Sequence, residues 1–388
     1  MADLLQIIDL SDSEQVQLSL YTGTSEPETA PPTNFPVPLT DAELAEIRWY
    51  FNEYPNDTFG AAKTRAETVE AGLKAIGLLL FQTVFGSSEE SSALLKKAAV
   101  NGQPQLVIVS SRPAFLGIPW ELMATEDDTY LTSRLSGVSR RLAPGLMEYF
   151  TGELPSDQLS VLLLLPPSSE DSGSIATEEL TALESLTVEA ELDCLRPSTL
   201  ANMQEQLAGN AAHYHLVHMD GFTVDAQGIS LEDGSGGITS VDAVTLGGLL
   251  TSSQTPALLI NASSSSPMND VMSFAAGLAQ SGVPQVIVSP LPITGAGRVL
   301  FCENLFKGFT GGTSFAQTIA SVRQAMMDHP QRPSATGPLA SWDWTLPMVF
   351  ESLEYVPAAI VAEEAAPLVP GQPQTEEQTA GNELPRGG

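Results

Sequence analysis

Three of the four histidines fall in one hexapeptide, His213-Tyr214-His215-Leu216-Val217-His218, and the two cysteines, Cys194 and Cys302, stand far apart with no CxxC partner. Hydrolysis at a dinuclear metal centre needs a His-x-His-x-Asp-His run with further ligands elsewhere. Here Val217 occupies the acidic position, and His329 sits between Asp328 and Pro330 at the end of a helical stretch. No metal site is expected. Cys302 lies in a helical pattern, Val299 to Phe306, that suits a small buried side chain, and Cys194 continues a strand alternation with Val188, Ala190 and Leu192. Both cysteines read as structural. The four serines Ser263 to Ser266, followed by Pro267, suit a turn from strand to helix. The run Gly295-Ala296-Gly297-Arg298 has Leu300 where a dinucleotide-binding turn needs its third glycine, and Pro290 and Pro292 precede it, so it reads as a plain helix start. Neither a GxSxG elbow nor a GxxxxGK[ST] loop is present. No cofactor is expected.

The elements that must hold these residues follow from the apolar pattern. Short runs of strand length and β-branched content occur at 106–109, 161–165, 216–218, 258–260 and 286–288. Between them lie helical spacings at 178–186, 273–280, 299–306 and 315–327. Strands alternating with helices predict crossover units and an α/β layered fold with a mainly parallel sheet flanked by helices. Near the N-terminus, Val16, Leu18 and Leu20 alternate as a half-buried strand before a proline-rich link at 31–38. Thr40 with Glu43 three residues later is a capping box opening a helix through Tyr50, and a longer helix is expected over 61–85. A link near 145–156 divides a first portion, 1–150, from a second, 151–355, though the strand at 106–109 fits either sheet. Residues 356–388 are acidic and rich in Pro, Gln and Gly, and read as a disordered tail.

A net charge of −31 opposes nucleic acid and anionic membrane surfaces and favours basic protein partners. The N-terminus lacks the basic region and apolar stretch of a signal peptide, and no apolar run is expected to approach the roughly 18 to 20 residues of a membrane helix. With only two cysteines, a cytoplasmic setting is expected.

Three segments, Leu116 to Leu122, Tyr214 to Phe222 and Leu258 to Ser263, in this order resemble the CHAT family of caspase-like cysteine proteases. Leu116-Gly117-Ile118-Pro119-Trp120-Glu121-Leu122 is similar to its "L-x-x-PWELL" signature. Tyr214 to Phe222 resembles "YHVVHFDGHG", in which the second histidine is catalytic, and Leu258-Leu259-Ile260-Asn261-Ala262-Ser263 resembles "LVVLNAC", which ends on the nucleophile. The turn Gly282-Val283-Pro284, the helix 315–326 and the segment 344–350 add supporting matches across roughly 3–355. The resemblance implies a clan CD, caspase-like fold, with 1–150 as the N-terminal part of the region and 151–355 as the protease core. It also implies a setting in bacterial signalling or defence.

Both positions of the family's dyad are replaced. Phe222 stands where the base is expected and Ser263 where the cysteine is expected. Phenylalanine cannot accept a proton, and a serine hydroxyl depends on a base more heavily than a thiol does. His218 is the fallback base. It lies four positions before Phe222, on the same side of an ideal strand but several rises of about 3.3 Å away. The expectation is a pseudo-protease whose former cleft is lined by His218, Asp220, Gly221, Asn261, Ala262 and Ser264. It would bind protein partners, such as an active protease or a signalling complex, as regulator or scaffold. The rival is an active peptidase using Ser263 with an unusual base.

Overall fold

The computed structural model describes residues 3–360 except 12, 24–25, 37–38, 144–149, 151, 167–171, 294 and 354. Most of the expected tail therefore lies outside the described residues; within 356–360, Ile360 is buried and its N–H donates to the Thr310 carbonyl.

Strands β1 (Leu4–Leu10) and β2 (Gln15–Tyr21) pair antiparallel, with Leu5 opposite Leu20 and Ile7 opposite Leu18, all four buried. Two short strands, β3 (Glu28–Thr29) and β4 (Thr33–Asn34), pair with β2. The apolar runs at 106–109, 161–165 and 216–218 form β5 (Gln105–Ser110), β7 (Gln158–Leu164) and β9 (Leu216–Phe222), with β6 (Gly137–Leu142) and β8 (Glu189–Leu195) beside them in the sheet. A small antiparallel sheet follows, made of β10 (Val224–Asp225), β11 (Gly228–Glu232) and β12 (Ile238–Val241). Then come β13 (Ala257–Ala262), β14 (Gln285–Ser289), the pair β15 (Gln331–Arg332) and β16 (Leu339–Ala340), and β17 (Met348–Glu351).

The main sheet runs β3-β2-β1-β5-β6-β17-β14-β13-β9-β7-β8. It is mainly parallel, but β17 is parallel to β6 and antiparallel to β14. The sheet thus consists of two parallel blocks of opposite direction, joined by the last strand. It is continuous across residue 150. The strand that fitted either portion, β5, sits between β1 and β6.

The helices are α1 (Asp41–Asn52), α2 (Gly60–Phe85), α3 (Glu89–Ala98), α4 (Pro113–Leu116), α5 (Ser172–Glu184), α6 (Leu200–Gly209), α7 (Ala243–Ser252), α8 (Met268–Gln280), α9 (Ala296–Thr310) and α10 (Phe315–Asp328). Thr40 and Glu43 form the expected box: Glu43 N–H donates to Thr40 Oγ1 at 3.3 Å and Thr40 N–H to Glu43 Oε2 at 2.8 Å. Helices α5, α9 and α10 pack in one layer, while α4, α7 and α8 pack in another. By length and composition α2 could cross a membrane, contrary to the expectation, because its stretch 68–85 holds only two charged residues, Glu70 and Lys74. One face of α2 is buried from Ala66 to Phe85. There Gly77 admits the Leu122 carbonyl so closely that a Cβ would meet its oxygen at 2.0 Å.

That close approach seats the Pro-Trp-Glu-Leu segment in the core, where Glu121 is a hub. Arg140 of β6 forks onto its carboxylate, Nη1 to Oε1 at 2.7 Å and Nη2 to Oε2 at 2.8 Å, and Arg323 of α10 adds Nη2 to Oε1 at 3.0 Å. All three side chains are at most 2% exposed. Burial pushes the Glu121 carboxyl up, but the two guanidinium groups outweigh it and hold it below the ordinary range. Arg323 is pulled down to about 10, by burial first and by Arg140 in addition. The signature residues tie a turn, a strand and a helix together.

Candidate functional site

Strands β9 and β13 lie side by side and parallel, with His218 opposite Leu259 and Asp220 opposite Asn261. The register then slips by one, so that Ala262 faces Phe222. Gly221 is the extra residue, and its φ of +78° is in the left-handed region that favours glycine. Directly opposed residues share a face of a sheet and consecutive residues alternate. Asn261 therefore shares the face of His218 and Asp220, whereas Ala262 and Phe222 point the other way. The bulge reverses the parity argument: His218 and Phe222 are on opposite faces. Phe222 is 1% exposed, a core residue.

On the His218 face a charged cluster is sealed under α5 and α9. His218 Nδ1 lies 2.7 Å from Glu179 Oε2, and its Nε2 lies 3.7 Å from Asp220 Oδ2. Arg298 Nε approaches the same Asp220 oxygen at 3.3 Å, while Asn261 Nδ2 donates to Asp220 Oδ1 at 3.0 Å. Asn261 also holds the loop after β14, accepting from Ile293 N–H and donating to its carbonyl, both at 2.9 Å. Burial alone pulls the His218 imidazole down, but the Glu179 carboxylate outweighs it and raises the pKa above the usual histidine value. Asp220 is raised too, chiefly by burial, with His218 and Arg298 opposing. His218 is thus a buried, carboxylate-bound imidazole on an interior strand, with a partner 39 residues away.

Beyond β13, Ser263 N–H donates to the Phe222 carbonyl at 2.9 Å, so the backbone of the two dyad positions is in contact. The Ser263 hydroxyl is half-buried and meets only other hydroxyls among the described residues: Ser265 Oγ at 2.8 Å, Thr223 Oγ1 at 3.0 Å and Ser266 Oγ at 3.3 Å. Ser266 Oγ in turn accepts from Val224 N–H at 2.9 Å. Arg48 and Asn52 of α1 donate to the Ser264 carbonyl. Among the described residues, no imidazole, amine or carboxylate makes a hydrogen bond with Ser263 Oγ.

Among the residues expected to line a cleft, Ser264 is exposed and Gly221 half-buried. His218, Asp220, Asn261 and Ala262 are buried beneath the surface, the first three by the charged cluster and the last on the face of Phe222. The sequence reading missed Thr223, Glu179 and Arg298. Thr223 directly follows the matched block, whereas Glu179 and Arg298 carry no local signal. The other histidines stay apart: His215 Nδ1 accepts from Ser160 N–H at 3.1 Å, and His213 Nε2 lies 3.3 Å from Glu191. No group of metal-ligating side chains occurs among the described residues. Cys302 is buried, as expected, but Cys194 is exposed because β8 is an edge strand.

Comparison with known proteins places this geometry in a family. Two crystal structures of the Saccharomyces cerevisiae separase–securin complex, at 3.0 and 2.6 Å resolution, align with 91% and 90% of the chain at 9% identity, with TM-scores of 0.43 and 0.44. The alignment takes in only 30% of the matched chain in each, so this protein spans under a third of its length. No curated protein sequence matches. A family model for the CHAT domain matches residues 79–352, a span that contains Glu121, the charged cluster, Phe222 and Ser263, and the chain belongs to the CHAT family.

Proposed function

We propose that this protein is a catalytically inactive CHAT-family member that acts as a protein-binding regulator or scaffold. The observation that carries the reading is the contrast at the dyad positions. The backbone contact from Ser263 N–H to the Phe222 carbonyl is in place, while one side chain is a buried phenyl ring and the other a hydroxyl hydrogen-bonded to hydroxyls. Peptide hydrolysis needs a base within reach of its nucleophile. His218 does not fill the role: it is on the face opposite Phe222, it is buried and bound to Glu179, and its raised pKa favours the form that has no lone pair to offer. An exposed loop of Ser264 and Ser265 at the strand ends, on a chain of charge −31, suits a protein partner with basic character, in a signalling or defence complex.

The test is whole-lysate proteolysis with mass-spectrometric detection of new termini, run with the intact protein and with Ser263→Ala. Neither is expected to generate termini. Cleavage that disappears in Ser263→Ala would make Ser263 a nucleophile and end the inactive reading. In the same lysates Ser264→Trp, which adds bulk at the exposed loop, is expected to lower recovery of co-purifying proteins; unchanged recovery would move the binding surface elsewhere.

A further inference from the structure

The two edges of the main sheet are finished differently. At one end β2 carries only the two-residue strands β3 and β4, with Pro31 and Pro32 between them, a blunt edge that offers little to a further strand. At the other end β8 is seven residues long and pairs along its full length with β7, from Gln158 opposite Glu189 to Leu164 opposite Leu195. It contains no proline, glycine, lysine or arginine. Among the described residues, no backbone hydrogen bond joins its outer side to another segment. About 20 Å of this edge presents N–H and C=O groups that no other described strand pairs.

The side chains of β8 sort by face. Glu189, Glu191, Asp193 and Leu195 alternate onto the face of Ser160 and Leu162; there Asp193 accepts from the Tyr214 hydroxyl and from Gln206 of α6. Ala190, Leu192 and Cys194 share the other face with Leu163, where Leu192 packs with Leu163, Leu165 and Ile175 of α5. Helix α5 also leaves Leu180 46% exposed. A second copy does not suit this edge. Antiparallel pairing about Leu192 sets Glu191 against Asp193, and the other antiparallel registers that match the faces over five or more residues also oppose acid to acid, on chains that each carry −31.

We infer that β8 is a docking edge for an extended segment of another protein in which lysine or arginine alternates with apolar residues. The segment adds as one more strand, its main chain bonding the free edge of β8. Its basic side chains lie beside Glu189, Glu191 and Asp193, and its apolar side chains beside Ala190, Leu192 and Cys194. This does not rest on the dyad being inactive, because the edge is separate from the ends of β9 and β13.

The experiment is fluorescence anisotropy of the full chain with a labelled heptapeptide, Val-Lys-Val-Lys-Val-Lys-Val. It is compared with a block-ordered peptide of the same composition and with the alternating peptide N-methylated at every residue. Saturable binding of the alternating peptide is expected, with both controls at least about tenfold weaker, since they remove the alternation or the backbone bonds. The Glu189 side chain is exposed and makes no hydrogen bond among the described residues, so Glu189→Lys is expected to leave the fold intact and to weaken binding about two- to fivefold, as reversal of one cross-strand charge pair would. Hydrogen exchange should slow at the amides of 189–195. Equal binding of the N-methylated peptide would mean adsorption to an acidic surface and overturn the inference. Absent binding, protection elsewhere, or a dimer of this chain that the peptide dissociates would overturn it as well.

Discussion

Replacing Glu121 with glutamine should remove the charge that holds two buried arginines while leaving the volume of the side chain unchanged. The carboxylate accepts three charge-assisted bonds, at 2.7 and 2.8 Å from Arg140 and 3.0 Å from Arg323, and is fully buried. Arg140 keeps the Leu116 and Ile118 carbonyls, and Arg323 keeps that of Pro347. Neither keeps a counter-charge. Removing one partner from a buried ion network costs about 3–5 kcal/mol, against a total stability of about 5–15 kcal/mol. Urea unfolding followed by tryptophan fluorescence suits the test, because Trp120 adjoins the substituted residue and is fully buried. The effect should also depend on pH. Since the folded-state pKa of Glu121 is depressed, its contribution is complete above the unfolded value near 4.5 and is lost as pH falls through the lower folded value. The gap between the two proteins should therefore narrow only in strong acid. Adding Arg323→Gln should restore part of the loss, with a coupling of about 1 kcal/mol or more. A change under about 1 kcal/mol at pH 7 would refute the view that the signature residues are structural.

Ser263→Cys in a Cys194→Ser background should give a thiol with an ordinary or raised pKa, because only hydroxyls surround it. Iodoacetamide alkylation against pH should have its midpoint at or above about 8.5, and a midpoint below about 7 would reveal an activating base. His218 and Asp220 both have raised folded-state values, so their favourable contribution is complete below their unfolded values and is lost as pH rises through the folded ones. The urea midpoint should accordingly fall as pH rises past the unfolded histidine value of 6.5, and a His218→Gln variant showing the same slope there would exclude His218 as its source. Thiol counting in the native protein should find Cys194 alone, with Cys302 reacting only on unfolding, since burial raises its thiol well above the ordinary value; fast labelling of both would contradict that packing.

The parts of this fold that the sequence reveals are those encoded within a few residues of each other. Apolar runs located β5, β7, β9, β13 and β14, and the Thr40–Glu43 pair located the start of α1, because strand burial and helix capping are local effects. What was not legible depends on pairing at a distance. Nothing in Met219-Asp220-Gly221-Phe222 says that glycine takes a left-handed φ opposite β13, yet that single torsion turns Phe222 into the core and away from His218. In the same way, Glu179 as the partner of His218, and Arg140 and Arg323 as the partners of Glu121, are set by the order of strands in the sheet. Charged residues on helices usually face solvent, so their sequence pattern gives no warning when the fold turns them inward.

The dyad positions show how chemistry and scaffold come apart in a fold of this kind. The contact between them uses only backbone atoms, and what fixes it is the bulge at Gly221 together with Asn261, whose amide binds both Asp220 and the loop at Ile293. A change of side chain at 222 or 263 disturbs neither device. The arrangement of the strand ends therefore persists without a base or a thiol, supported from the opposite face by charged groups that would be costly to bury singly and are held by one another. Under the proposed inactive reading, rigid strand ends with exposed hydroxyls would still present a surface. If a partner docks at Ser264 as proposed, loosening Asn261 should disturb that binding more than any change at Phe222 does.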